Sequence, residues 1–384
     1  GEGTRLSILT AKRTKPAVPF GGKYRIIDFA LSNCVNSNLF DIIIIAQYRP
    51  HSLLEHIGGG GPWDLDREIS GGVKLFTPYR AQASGWFRGT ADAIQQNFTF
   101  IKHGKPDNLL ILSGDHIYNM NYEEMIEFHQ ASQADVTIAT IEVPIEEASR
   151  YGIVEVDEQQ RIVSFVGKPE HPQSNLINMG VYIFKREIID SILWEDHLKP
   201  DSSHDFGKDI LPDMIRRNFR VIAYPYHGYW VDVGTVYSYW KSHMDLLDGE
   251  SEFNMLSGEW RVITREEIQP PSFIHENARV EHSMLCNGCV IHPGARVTRS
   301  VLSPGVHVHA GAVVDQSVVL NDTVIGENAK VTRCILDKKV KIYENAVLGQ
   351  PVNGVDDETA ITLVGKNSVV AAGMTLEAGA VVYT

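Results

Sequence analysis

Two patterns in the sequence predict two architectures in one chain. Residues 1–250 are expected to form an α/β domain with a mixed, mostly parallel sheet. Residues 272–384 are expected to form a left-handed parallel β-helix of hexapeptide repeats, with a linker at 251–271. The first expectation rests on short apolar runs that alternate with helical stretches. The second rests on small and branched residues recurring every 17 positions.

In the first region Ile42–Ala46, Leu109–Ser113, Val136–Ile141, Ile162–Val166 and Val181–Phe184 are short apolar runs suited to buried strands. Helical stretches such as Ile26–Ser37 and Tyr122–Ser132 lie between several of them. Ligands in such sheets bind beyond the carboxyl ends of strands. Pro270-Pro271 marks the linker, after which the composition shifts to Val, Ala, Gly and Asn. Ala278, Ala295, Ala312, Ala329 and Ala346 then recur at a spacing of 17, in parallel with Val280, Val297, Val314, Val331 and Leu348. Small residues suit the corners of a coil and branched ones its core. Gln350–Thr359 interrupts the series, and Ala380 with Val382 is expected to resume its phase.

The chain has 384 residues, enough for two cores, and a formal charge of −13. That charge excludes general nucleic-acid or anionic-membrane binding, so an anionic substrate must be met by local cations. No apolar run approaches the ~20 residues of a membrane span. Of the four cysteines, Cys286 and Cys289 have metal-ligand spacing but no second pair follows, and Cys34 falls on an apolar helix face. Structural thiols and a cytoplasmic protein are expected.

Local cations are dense at the start. Gly1-Glu-Gly-Thr-Arg-Leu6 leads into Lys12, Arg13, Lys15-Pro16 and Lys23. Glycines at Gly1 and Gly3 let backbone N–H groups close on an anion, and Arg5 and Lys15 supply countercharge for a polyphosphate. Leu109-Leu-Ile-Leu-Ser-Gly-Asp115 ends an apolar run on a carboxylate, and Tyr229-Trp-Val-Asp232-Val-Gly-Thr235 repeats the arrangement 117 positions later. An Asp beside Gly is also a common turn former. Two such carboxylates are nevertheless what Mg²⁺ on a nucleoside triphosphate requires. In Trp86-Phe-Arg-Gly-Thr90, the Gly89–Thr90 backbone suits a planar base edge and Trp86 offers a face; a packed loop tryptophan is the alternative. Lys168 sits between an apolar run and Pro169, which fixes the turn so that its ammonium can be aimed, a solvated surface charge being the alternative.

These motifs carry a resemblance. Gly-x-Gly-Thr-Arg-Leu followed by Lys-Pro resembles the nucleotide-binding loop of sugar-1-phosphate nucleotidyltransferases. Lys15–Phe29, Ser113–Tyr118 and Tyr229–Thr235 together resemble the glucose-1-phosphate adenylyltransferases of bacteria. The resemblance implies a Rossmann-like nucleotidyltransferase domain making ADP-glucose and pyrophosphate from ATP and α-D-glucose 1-phosphate, for glycogen synthesis. It places Gly1, Gly3, Thr4, Arg5, Lys15, Trp86, Gly89 and Thr90 around ATP. Phe87, Gly152, Gly167, Lys168 and Asn178 fall around the sugar phosphate, and Asp115 and Asp232 around Mg²⁺. Arg5, Lys15, Asp115, Lys168 and Asp232 are the expected catalytic set. Lys12 and Arg13 match effector positions, a solvated cation pair being the alternative. The resemblance further implies a homotetramer under allosteric control, with the β-helix serving assembly and regulation.

Departures from the family pattern are local. The usual Glu-Lys-Pro and Ser-Met-Gly read Gly167-Lys168-Pro169 and Asn178-Met179-Gly180 here, which bears on sugar affinity and choice. Members ordinarily carry a hydrophobic strand before the glycine loop, so one is expected upstream of Gly1. A UTP- or dTTP-using relative and a non-catalytic regulatory subunit are the alternatives within the family. His292, His307 and His309 on the repeat raise a β-helix acyltransferase, which leaves the N-terminal motifs unexplained.

Overall fold

A computed structural model of the chain describes residues 3–67, 69–78, 86–248, 255, 258, 260–351 and 359–383. The first region is built on a six-stranded mixed sheet. Its strands run Val221–Pro225, Val136–Glu142, Leu176–Lys185, Gly152–Val156 and Ile162–Gly167 in spatial order, and Asn108–Leu112 also pairs with Leu176–Lys185. Only the pairing of Val221–Pro225 with Val136–Glu142 is parallel; the other ladders of this sheet are antiparallel. The balance of directions therefore differs from the mostly parallel expectation. The short Asp157–Arg161 turn joins two of the strands as a hairpin, which leaves no room for a helical crossover. A separate parallel pair, Asp41–Ile45 with Gly72–Phe76, flanks the helix Ile26–Asn36.

Helices cover the sheet through apolar stripes at helical spacing. In Arg186–His197 the buried positions are Ile189, Ile192, Leu193 and Asp196, three and four apart. The helix Ile26–Asn36 starts where the Asp28 carboxylate accepts a 2.8 Å hydrogen bond from the Arg25 N–H. Asp28 is fully buried, and its second oxygen lies 2.6 Å from His56 Nε2. Burial of a carboxylate here is offset by pairing on both oxygens.

Beyond residue 272 the chain winds through three six-stranded parallel sheets, as the hexapeptide repeat predicts for a left-handed β-helix. The first runs from Phe273–Ile274 to Val369–Val370, the second from Arg279–Glu281 to Thr375–Glu377 and the third from Met284–Leu285 to Val381–Val382. Val297, Val314, Val331 and Leu348 are buried inside, with Ala295, Ala312, Ala329 and Ala346 beside them. The register holds at 17 residues until Leu348, which pairs with Leu376, 28 positions on. Ala380 and Val382 thus do not resume the Ala346 and Leu348 series. Val382 pairs with Val364 on the third sheet instead. Residues 352–358 of the interruption lie outside the described residues, and a count along the sequence cannot separate inserted residues from coil residues.

The two regions share a core. Leu6, Leu9, Val18, Phe20, Tyr239 and Trp240 pack against Val318, Leu320, Ile335 and Leu363 on the outer face of the third sheet. Polar contacts reinforce this, with Ser303 Oγ donating to the Gly22 carbonyl at 2.7 Å and Trp240 Nε1 to the Gln316 carbonyl at 2.6 Å. Arg13 Nη2 likewise reaches both oxygens of Asp337 at 2.9 and 2.8 Å. The partners are 6 % and 1 % exposed. Removing one member of a buried pair strands the other charge. Asp337→Ala is expected to destabilise the protein by about 3–5 kcal/mol, read as a fall in the urea midpoint.

Candidate active site

The two candidate carboxylates meet because of a two-stranded ribbon. Strand His116–Tyr118 pairs antiparallel with Trp230–Asp232, in a register that sets Asp232 opposite His116. Asp115 precedes the first strand, so both carboxylates fall at one end of the ribbon. One ligand atom each from Asp115, His116 and Asp232 lies within 4.8 Å of the others. Hard carboxylate oxygens converging in this way suit a divalent cation.

Lys15 completes the cluster. Its Nζ lies 2.9 Å from Asp115 Oδ2 and 2.6 Å from Asp232 Oδ1. A short 3₁₀ turn at Lys15–Ala17, begun by Pro16, holds the backbone. Burial alone would lower the Lys15 pKa, but the charges of Asp115 and Asp232 outweigh it and raise the pKa above its ordinary value. Burial would likewise raise that of Asp115. The His116 and Lys15 charges and a hydrogen bond from Ser113 Oγ instead hold this carboxyl well below the usual range. Ser113 is in turn placed by its N–H, which donates to the Gly180 carbonyl at 2.9 Å.

The opening loop runs over this cluster. Gly3 has φ of 69°, and a Cβ there would lie 3.2 Å from Lys15 Cβ and 3.1 Å from Thr10 Cγ2, so glycine permits the close turn. Thr10 Oγ1 donates to the Gly3 carbonyl at 2.9 Å and ties the loop down. Thr4 and Arg5 are exposed on it. The Arg5 guanidinium reaches toward the carboxylates, since a Cβ at Gly234 would sit 3.1 Å from Arg5 Nη2 and 3.0 Å from both Asp232 oxygens. Gly1 lies outside the described residues.

The sugar-side candidates form a second group. Gly152 and Gly167 are paired across two strands, and a Cβ at Gly152 would press on the Phe165 ring at 2.8 Å. A Cβ at Gly167 meets no described residue within 4 Å. Lys168 is exposed, and its N–H donates to the Tyr151 carbonyl at 2.9 Å. The Tyr151 ring stands edge-on to Trp230 at 5.4 Å, and Trp230 to His116 at 5.0 Å, so an aromatic ladder links this group to the carboxylates. Trp230 Nε1 is buried and makes no hydrogen bond among the described residues. Asn178 sits at a bulge where its Nδ2 donates to Tyr182 Oη at 2.7 Å and its Oδ1 accepts from the Gly180 N–H at 2.8 Å.

Trp86, Phe87, Gly89 and Thr90 have other neighbours. Exposed Trp86 stacks on Tyr48 at 5.1 Å, and Gln47 exchanges hydrogen bonds with the Phe87 backbone. Thr90 Oγ1 donates to Asp205 Oδ2 at 3.0 Å and accepts from the Phe206 N–H. Ser113, Gln47, Tyr48 and Trp230 were not assigned roles from the sequence. Trp230 was within reach, lying inside the motif that supplied Asp232.

The remaining candidates lie elsewhere. Lys12 is exposed, whereas Arg13 is buried against Asp337, so the two do not form a solvated pair. Near Arg13 a basic cleft is lined by Lys23, Arg25, Arg265 and Lys338 with Glu267. Burial, aided by Arg25 and Arg13, pulls Lys338 down to about 8. His292 stacks face to face on His309 at 4.7 Å and on His275 at 5.3 Å, a ladder along successive coils. The four cysteines are unpaired, and burial raises the pKa of each. No helix among the described residues is long and apolar enough to cross a membrane.

Comparison with known proteins agrees with this geometry. The family model described as nucleotidyl transferase matches residues 1–249, and the GlmU-like C-terminal hexapeptide model matches 269–371. Fold and site together define a nucleotidyl transferase carrying a hexapeptide β-helix. A glucose-1-phosphate adenylyltransferase of Thermomicrobium roseum is 52 % identical over 76 % of this chain and 68 % of its own length. Those of Bacillus cytotoxicus and Clostridium perfringens are 52 % and 49 % identical, over 77 % and 76 % of this chain and 79 % and 75 % of theirs. The chain belongs to the glucose-1-phosphate adenylyltransferase family.

Gly89 provides a test of the local packing. A Cβ there would lie 2.2 Å from the His204 carbonyl oxygen and 2.4 Å from that of Ser203. Gly89→Ala is expected to push the Thr90–Gln96 helix off the Ser203–Phe206 segment at a cost of about 1–3 kcal/mol. A lowered melting temperature checks it.

Proposed function

We propose that this chain transfers the adenylyl group of ATP to α-D-glucose 1-phosphate, giving ADP-glucose and pyrophosphate. The observation that carries the reading is the convergence of Lys15, Asp115 and Asp232 beneath a glycine loop that presents Arg5. Such phosphoryl chemistry needs positioned groups and charge neutralisation, and no protein nucleophile. A phosphate oxygen of the sugar phosphate attacks the α-phosphorus, and the bond to the β-phosphate oxygen breaks with pyrophosphate leaving in line. Arg5 and Lys15 bind the triphosphate and stabilise the leaving charge, with the Gly3–Thr4 backbone against the phosphates. Lys168 holds the sugar phosphate, while Gly152, Gly167 and Asn178 border the sugar. Phe87, Gly89 and Thr90 face the nucleoside, with Trp86 beside the base.

Asp115 and Asp232 are the residues that would hold Mg²⁺, and the convergence of their oxygens on one cationic group is what supports this. The ion, when bound, supplies further charge neutralisation at the triphosphate.

The product serves glycogen synthesis in the cytoplasm. Control by small anionic effectors is supported by the basic cleft around Lys23, Arg25 and Lys338, whose charge Arg13 also feels, at the junction of the two regions. Assembly as a homotetramer through the β-helix is supported by exposed apolar side chains on its first sheet, Phe273 at 57 % and Val369 at 51 %.

Pyrophosphate release with glucose 1-phosphate and Mg²⁺, comparing ATP, UTP and dTTP, tests the reading. ATP-dependent release that falls at least ~10²-fold in Asp115→Asn is expected. Release with UTP or dTTP alone would move the chain to a sister activity. Silence with all three in a folded, effector-binding protein would make it a regulatory subunit.

A further inference from the structure

Lys15 is placed where the proposed reaction puts a metal ion. The ammonium lies between Asp115 Oδ2 and Asp232 Oδ1, at 2.9 and 2.6 Å, and thereby bridges the two carboxylates. It is buried, and its backbone is fixed from both sides. The Ala17 N–H donates to the Thr14 carbonyl and the Val18 N–H to the Lys15 carbonyl, each at 3.0 Å. Gly3 closes over the Lys15 Cβ. Like charges this close repel strongly in a partly desolvated site, and one ammonium between them removes most of that repulsion.

We propose that Lys15 is an internal counter-ion that closes the carboxylate pair to a free divalent cation and releases it only to a nucleotide-bound one. The inference rests on the reading of Asp115 and Asp232 as the metal-holding residues. A divalent cation arriving alone must displace the ammonium and leave it buried with no anion beside it, which opposes binding. A nucleotide offers that ammonium its phosphates in exchange for the carboxylates, so the positive charge is never unpaired. The neighbouring cation, Arg5, is exposed and so is not held against the carboxylates in the same way. Metal and triphosphate are therefore linked through one side chain, and each raises the affinity for the other. The enzyme is thereby protected from holding an ion with no substrate, and Lys15 changes partners during each binding event.

Mn²⁺ is the probe, with the free-ion electron paramagnetic resonance signal as the readout. Wild type, Lys15→Met, Lys15→Gln and Lys15→Arg are titrated with and without a non-hydrolysable ATP analogue. Thermal unfolding confirms that each is folded, and Lys15→Gln stands in if Lys15→Met is not. The neutral variants are expected to bind Mn²⁺ alone at least ~10-fold more tightly than wild type. Lys15→Arg is expected to bind it as weakly as wild type does. Wild type should gain at least ~10-fold in Mn²⁺ affinity when the analogue is present. Neutral variants that bind Mn²⁺ alone no more tightly than wild type would overturn the counter-ion role. An Asp115→Asn protein that keeps full Mn²⁺ affinity with the analogue would instead overturn the metal assignment beneath it.

Discussion

The pairing of one buried ammonium with two carboxylates is the interaction on which the site depends. Lys15, Asp115 and Asp232 come from three distant parts of the chain, and each is delivered by a different device. A proline-led turn brings the lysine, the end of an apolar strand brings Asp115, and the ribbon register brings Asp232. Alone, each charge would be costly at its depth; together they are mutually compensating. The opening loop, the helix Ile26–Asn36 and the Trp230 ladder are arranged around that compensation.

A second buried pair does comparable work at a different scale. Arg13 stands two residues before Lys15 and binds Asp337 on the β-helix, so the loop that carries Lys15 is also anchored to the second region. The shared core of Leu6, Leu9 and Phe20 with Ile335 and Leu363 fixes the same loop from its apolar side. Movement of the β-helix against the first region therefore bears directly on the position of Lys15. The basic cleft lies along this junction, where burial already depresses the Lys338 pKa. An anion there would offset charge that the fold leaves crowded.

How much of this was legible in the sequence depends on whether the signal was local. The β-helix was readable because Ala295, Ala312 and Ala329 repeat a physical requirement at each corner, and the repeat fails as a guide only after the interruption, where Val382 moves to the third sheet. Asp115 and Asp232 were readable as motif positions, but their meeting depended on the pairing of His116 with Asp232, which leaves no mark in either segment. Strand direction was misjudged because apolar runs carry no direction; only the connections do. Arg13 looked like its exposed neighbour Lys12, and nothing local shows that its partner lies more than three hundred positions away. Trp230 and Ser113 stood inside recognised motifs, yet their roles come from the side chains they position.

The proposed chemistry requires that Asp115 and Asp232 act together on one cation. A double-mutant cycle of Asp115→Asn and Asp232→Asn, read as the rate of ATP-dependent pyrophosphate release, tests it most directly. Residues that act as a unit are strongly non-additive. The double variant is expected to be no slower than the slower single variant, within about a factor of three. A double variant slowed by the product of the two single effects would show that the carboxylates work independently, and would overturn the shared-cation site.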